Sequence, residues 1–222
     1  CLPDYTFLPL NFAVYSEELA SIQAYNPEKA KELMAEAGYP NGEGFPELTY
    51  TVRQDDPVVP EAITAMWLET LGVKVNIEQF ERGTFMEKMA ARQFQIYQLA
   101  YGADFPDPDN FLGLWVSTAN RHEWTSTAYD ELLAASRVES DPAKRQEIIT
   151  QTEELLLSEF AVIPLTTPVN MSLEKTWYMN DAKEASRAGK NTSLYGAQWF
   201  QNIYFTKDVP ATWPPVDPEY LK

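Results

Sequence analysis

LTYTVRQDDPVVPEAITAMWLETLGVKVNI, residues 48–77, decides how this chain folds. Leu48, Tyr50 and Val52 alternate with Thr49, Thr51 and Arg53, the period of a half-buried strand. Pro60 opens a helix in which Ile63, Met66, Trp67 and Leu71 fall on one face, and Gly72 ends it. Val73, Val75 and Ile77 then alternate again. Strand, helix and strand with short links make a βαβ unit, so the two strands are predicted to run parallel with a right-handed crossover.

Upstream, Asn26 is a good N-cap and Pro27 suits the first helical position. Ala30, Leu33, Met34 and Ala37 recur at i, i+3, i+4 and i+7, and Gly38 stands where a helix ends. Residues 1–25 form an extended, proline-punctuated lead-in with a helical stretch around Ser16–Gln23. Downstream, Thr84 and Glu87 have capping-box spacing ahead of a short helix carrying Phe85, Met86, Met89 and Ala90. A strand over Phe94–Leu99 follows, then helices over Pro108–Trp115 (capped by Asp107), Thr127–Val138 and Asp141–Glu159. Ala161–Leu165, Val169–Leu173 and Ile203–Phe205 read as strands, and Val209–Lys222 as a surface tail. The predicted fold class is α/β, a mixed sheet with flanking helices. Its divisions are a lead-in over 1–25, an α/β lobe over 26–200, and a return strand and tail over 201–222.

The 222 residues carry a formal net charge of −16. So acidic a surface repels phosphate backbones and anionic lipid, which argues against a nucleic-acid partner and against a basic membrane patch. No apolar run is long enough to span a bilayer. The single cysteine, Cys1, forms no internal disulfide. It is taken as a boundary of a longer chain in preference to a lipid-anchor site, because the residues after it read as ordered chain.

The candidate site lies in YQLAYGADFPDPDNFL, residues 97–112. Asp104 follows the strand, with Gly102 and Ala103 as small neighbours and Tyr101 and Phe105 as aromatic ones. A carboxylate at a strand end is well placed to hold a cationic group, and no nucleophile or base stands beside it. The alternative is that Asp104 caps a turn of its own backbone. Asp104, Asp107, Asp109 and Asn110 suggest a calcium loop, but the spacing is wrong for one, and capping by Asp107 explains it better. His122, the only histidine, can anchor neither a zinc site nor a triad here, and is expected in a surface loop, with Asn120 and Trp124 near a cleft rim. No cofactor is implied. With so many carboxylates, a hydrolase using an acid–base pair on peptides or glycosides stays open as the alternative function.

Several segments together resemble solute-binding protein family 5, the oligopeptide-, dipeptide- and nickel-binding proteins of bacterial ABC importers. They are YNPEKAKELMAEAGYPNG (25–42), LGVKVNI (71–77), ADFPDPDNFL (103–112), DPAKR (141–145) and Ile163-Pro164-Leu165. The resemblance implies the C-terminal lobe of a two-lobed, class II periplasmic-binding-protein fold, in a protein longer than this chain. It implies an extracytoplasmic location, a peptide or other small solute as ligand, and permease subunits as partners. The rest of the parent chain would supply the other lobe, and any membrane contact would come through the permease or a lipid anchor. In peptide-binding relatives the aspartate at the position of Asp104 pairs with the ligand's α-ammonium, and its aromatic neighbour corresponds to Phe105. Tyr101 stands where a tryptophan is common. Gln98 stands where some relatives carry an arginine that meets a peptide carboxylate, so this chain departs from that pattern.

Overall fold

The computed structural model describes residues 2–9, 17–55, 57–119, 122–167, 178–179 and 204–205. Along the chain these form β1 (Leu2–Pro3), α1 (Glu17–Ile22), α2 (Pro27–Glu36), β2 (Leu48–Arg53), α3 (Val58–Leu71), β3 (Val75–Phe80) and α4 (Arg82–Ala90). β4 (Ile96–Tyr97), α5 (Asp109–Leu112), α6 (Thr127–Val138), α7 (Pro142–Ser158), β5 (Thr166–Thr167), β6 (Tyr178–Met179) and β7 (Tyr204–Phe205) follow.

The βαβ unit forms as the alternation predicts. β2 pairs in parallel with β3, from Leu48 opposite Val75 to Arg53 opposite Phe80. On its other edge β2 pairs in parallel with β4, Tyr50 opposite Ile96 and Thr51 opposite Tyr97. Antiparallel pairing also occurs, but in separate two-stranded sheets, β1 with β5 and β6 with β7. β2 is not half-buried: Tyr50, Thr51 and Val52 are all buried. It is the middle strand, paired on both edges, and α4 packs against it, while the edge strand β3 keeps alternate residues, Asn76 and Glu78, exposed. β4 is shorter than the Phe94–Leu99 strand predicted. Side chains replace ladder bonds there, with the Thr49 amide donating to Gln95 Oε1 at 2.7 Å.

The helix ends follow local chemistry. Asn26 Oδ1 accepts from the Lys29 amide at 2.9 Å, and α2 closes in a Schellman turn, with Tyr39 N–H on Met34 O and Gly38 N–H on Ala35 O. Gly72 closes α3 in the left-handed region (φ +70°), and a β-carbon there would lie 2.0 Å from the Asn41 carbonyl oxygen. The turn after α2 thus docks backbone to backbone on the end of α3. α3 itself begins at Val58, two residues before Pro60. Its covered stripe runs through Pro60, Ile63, Trp67 and Leu71, while Met66 is 51% exposed. The predicted Thr84–Glu87 capping box does not form. Glu81 caps α4 instead, accepting from the Gly83 and Thr84 amides and the Thr84 hydroxyl.

A second packing centre joins the helices to the lead-in. Leu8, Phe111, Leu112, Tyr129, Leu133, Ile149 and Leu156 form one buried cluster. Tyr129 is wholly buried and donates its hydroxyl to Leu112 O at 2.7 Å, and burial pushes the phenol far above its ordinary value. Ala161–Leu165 forms no strand; pairing begins at Thr166. Val169–Leu173, the Val209–Lys222 tail and Cys1 lie outside the described residues. Among the described residues no helix is long and apolar enough to cross a membrane.

Candidate ligand-binding site

The segment between β4 and α5 carries Asp104, and three contacts fix it. The Asp104 amide donates to Asn110 Oδ1 at 2.8 Å. The Tyr101 hydroxyl lies 3.0 Å from Asp104 Oδ2, to which it donates, and 3.3 Å from Asn110 Oδ1. The Tyr101 ring is held edge-on against Phe111 at 5.5 Å, so the hydroxyl projects from a packed body. Asp104 is exposed, and its carboxylate accepts from Tyr101 and not from a local backbone amide. That geometry differs from a turn cap. Phe105 beside it is 49% exposed, and Gly102 is exposed too. Ala103 packs on the helical core with Tyr101.

The aspartates that follow belong to the scaffold. Asp107 Oδ1 accepts from the Asp109 amide at 2.9 Å and from Arg145 at 2.8 Å, and Arg145 also donates to Ser136 O. Burial works to raise the Asp107 carboxyl, but the guanidinium and the amide outweigh it and hold it below the usual carboxylate range. Asp109 accepts from Arg137 Nε at 2.7 Å. Two arginines, one on α6 and one on α7, therefore clamp the start of α5. Asp141 caps α7 through the Ala143 and Lys144 amides, so the segment 141–145 starts the helix and delivers Arg145 to the loop. Among the described residues no group of three or more acidic, His or Cys side chains could hold a metal ion.

Gln98 accepts from the Tyr50 hydroxyl at 3.0 Å. With Val52, Arg53, Leu99 and Ala100 it lines a hollow of about 30 Å³, space on the order of a single water molecule. The position matters more than the size. Chain order is β2, β3, β4, but spatial order is β3-β2-β4, so the chain passes from β2 to a neighbour on one side and then crosses back to a neighbour on the other. Ligands of open parallel sheets bind outside the strands' carboxyl ends at such a switch point. The hollow sits there, and the Asp104 loop continues from it.

Trp124 packs against the same core cluster as Tyr101. Its ring meets those of Trp115, Tyr129 and His122, and Glu159 takes its indole N–H at 2.8 Å. His122 is not a surface-loop residue. It is buried, stacked on Trp115 at 4.6 Å, with its ring nitrogens 2.9 Å from Trp124 O and 3.3 Å from Leu114 O. Burial lowers its pKa despite those carbonyls. Asn120 lies outside the described residues. Two residues have places here that the sequence alone did not assign to them. Asn110 was weighed only as a cation ligand, although its place six residues after Asp104, at the start of a helix, suits a loop-closing amide. Arg53 reads in the sequence only as an alternating polar residue of the strand, and the structure makes it the last residue of β2 and a wall of the hollow.

Residues 2–123 match the family described as bacterial extracellular solute-binding proteins, family 5 Middle. The chain belongs to this family. Family 5 relatives include the periplasmic oligopeptide-binding protein OppA of Salmonella typhimurium, 30% identical over 153 residues, covering 68% of this chain and 28% of that protein. The dipeptide-binding protein DppE of Bacillus subtilis is 33% identical over 146 residues, covering 63% and 27%. Among solved structures, a periplasmic oligopeptide-binding protein of Borrelia burgdorferi superposes with a TM-score of 0.65 at 29% identity, covering 70% of this chain and 32% of that one. The DppA periplasmic binding protein of Helicobacter pylori, in complex with the peptide STSA, gives 0.65 at 26% identity, covering 74% and 33%. The fold is that of the periplasmic binding proteins, and the chain spans less than a third of the length of these two curated family 5 relatives.

Proposed function

We propose that this chain forms one wall of the ligand cleft in the substrate-binding component of an ABC-type importer. It is the C-terminal lobe of a longer extracytoplasmic protein that binds a peptide or other small polar solute and presents it to permease subunits. The observation that carries this reading is Asp104: an exposed carboxylate, oriented by Tyr101 and Asn110, on the loop that leaves the carboxyl edge of a parallel sheet. The relatives named above are binding proteins, which supports gripping over cutting.

The mechanism is closure without a bond made or broken. In the open form water hydrates Asp104, so its charge costs little. When the other lobe closes, the carboxylate meets the ligand's ammonium in a drier cleft, where a charge-assisted hydrogen bond contributes about 1.5–3 kcal/mol. Phe105 and Tyr101 offer flat apolar surface, and the backbone at Gly102 and Ala103 completes the wall. Gln98 contributes through the neighbouring hollow. Trp124 stays with the aromatic packing beneath.

Titration calorimetry on the full-length protein, with short peptides, tests this. Asp104→Asn is expected to weaken an amine-bearing ligand about tenfold or more, since 1.4 kcal/mol is a factor of ten. An unchanged affinity removes Asp104 from the site, and release of cleaved product would favour the hydrolase reading.

A further inference from the structure

Glu153 on α7 is a fully buried carboxyl group that ligand binding at Asp104 does not use. Its Oε1 accepts the Leu8 amide at 2.7 Å, and the Phe7 amide also supports the carboxylate. Its Oε2 is buried without a partner among the described residues, and so is Asp4 Oδ1 on the same lead-in. Asp4 is pinned in turn, its amide donating to Leu165 O at 3.2 Å and its Oδ2 accepting from the Thr167 hydroxyl. Two acceptor oxygens short of a donor are costly in a dry interior, and the Asp4 charge acts on Glu153 as well. One proton on Glu153 eases both costs: it removes a buried charge and adds an O–H donor. The held segment lies behind the candidate site. Leu8 sits in the buried cluster with Phe111, and the Phe7 ring stands edge-on to Phe111 at 6.2 Å and to Trp115 at 5.9 Å. Phe111 carries Tyr101, whose hydroxyl orients Asp104.

We propose that Glu153 is a proton-operated latch on the lead-in, closed while the carboxyl keeps its proton and loosened once it ionises, and that the latch sets how firmly the Asp104 loop is backed. The latch stands on the buried carboxyl oxygens alone, whereas its link to a ligand rests on the cleft reading above. With the lead-in released, Glu153 is hydrated and is an ordinary carboxyl group. Under the lead-in, burial first and the Asp4 charge after it push the value from 4.5 up to about 7. Local release therefore becomes about tenfold easier with each pH unit between those values, and no easier above them. The titratable groups that face Glu153 are Asp4 from the lead-in and Tyr129 from α6, whose hydroxyl is engaged by Leu112 O. Glu18 on α1, the other helix packed on α7, is exposed.

The test is hydrogen exchange of the full-length protein between pH 5 and pH 8, read by mass spectrometry in peptides spanning residues 5–9. Each rate is divided by the intrinsic rate of an unstructured peptide at that pH. Protection in the parent protein is expected to fall about tenfold per pH unit and to level off near pH 7. Glu153→Gln, which keeps a donor and carries no charge, should leave protection flat. Asp4→Asn, which removes the facing charge, should bring the levelling to lower pH. Flat protection in the parent, or the same fall in Glu153→Gln, overturns the latch; should Glu153→Gln not fold, an unmoved profile in Asp4→Asn overturns it. Titration calorimetry with tri-alanine at pH 6 and pH 8 tests the link to the site. The parent should lose about threefold or more affinity relative to Glu153→Gln, a comparison that cancels titration of the peptide amine and of His122. Equal losses refute that link. If tri-alanine binds neither protein at either pH while the exchange profile holds, the cleft reading fails and the latch stands.

Discussion

Glu153 on α7 is fully buried, and replacing it with glutamine gives a sharp test of how the lead-in is held. Its Oε1 accepts the Leu8 amide at 2.7 Å, while Oε2 has no partner among the described residues. Burial raises its pKa from 4.5 to about 7, against the amides of Leu8 and Phe7, and the nearby Asp4 charge adds to the rise. The native state therefore holds a proton that the unfolded chain has lost between these two values. The stability this carboxyl contributes is full below pH 4.5 and is lost as pH rises through about 7. A shift of that size corresponds to about 3 kcal/mol. His122 works the other way, since its lowered pKa gives stability that is lost as pH falls below its unfolded value. A comparison of Glu153→Gln with the parent protein cancels that opposing effect. Urea unfolding between pH 5 and pH 8 is expected to show the variant gaining steadily on the parent, by up to about 3 kcal/mol. Parallel curves across that range would refute a protonated, buried Glu153.

Two further outcomes follow from the scaffold. The Asp107–Arg145 pair fixes the loop before α5, so Asp107→Asn and Arg145→Gln should each lower stability, by about 1–2 kcal/mol. A double-mutant cycle by urea unfolding should give a coupling of at least about 0.5 kcal/mol, and simple additivity would mean that the pair does not clamp the loop. Gly72→Ala meets both a left-handed backbone and the Asn41 carbonyl, whereas Gly38→Ala, at φ +91°, meets no atom within 4 Å. Thermal melts should show Gly38→Ala costing about 1–2 kcal/mol and Gly72→Ala clearly more; equal losses would deny the close approach of the two turns.

Much of the fold is local chemistry, which is why it was legible. Asn26 caps α2 and Asp141 opens α7, as their side chains and positions indicate, and Ser126 caps α6 in the same way without having been marked. The parallel β2–β3 pair follows from the spacing of two alternating runs around one helix. Features set by distant neighbours were not legible. Thr51 looks like a solvent-facing strand residue until β4 joins the second edge and α4 covers the sheet. Glu153 looks like one more solvated glutamate, although Ile149, Thr152 and Leu156 put it on the inner face at i, i+3, i+4 and i+7. That spacing was a usable signal, outweighed by the residue's charge. His122 reads as a surface-loop residue because only the fold turns Trp115 and Trp124 inward around it. At the site, Asp104 and Tyr101 were visible as residues, while Asn110's orienting bond and Arg53's place in the same edge needed the strand order.

The decisive question is whether the exposed carboxylate of Asp104 grips a ligand's ammonium. Titration calorimetry of the full-length protein with tri-alanine and with N-acetyl-tri-alanine answers it, because acetylation removes that charge and leaves the rest of the peptide intact. Binding of the free amine with at least a tenfold loss on acetylation is the expected result. Equal affinity for the two peptides would contradict it.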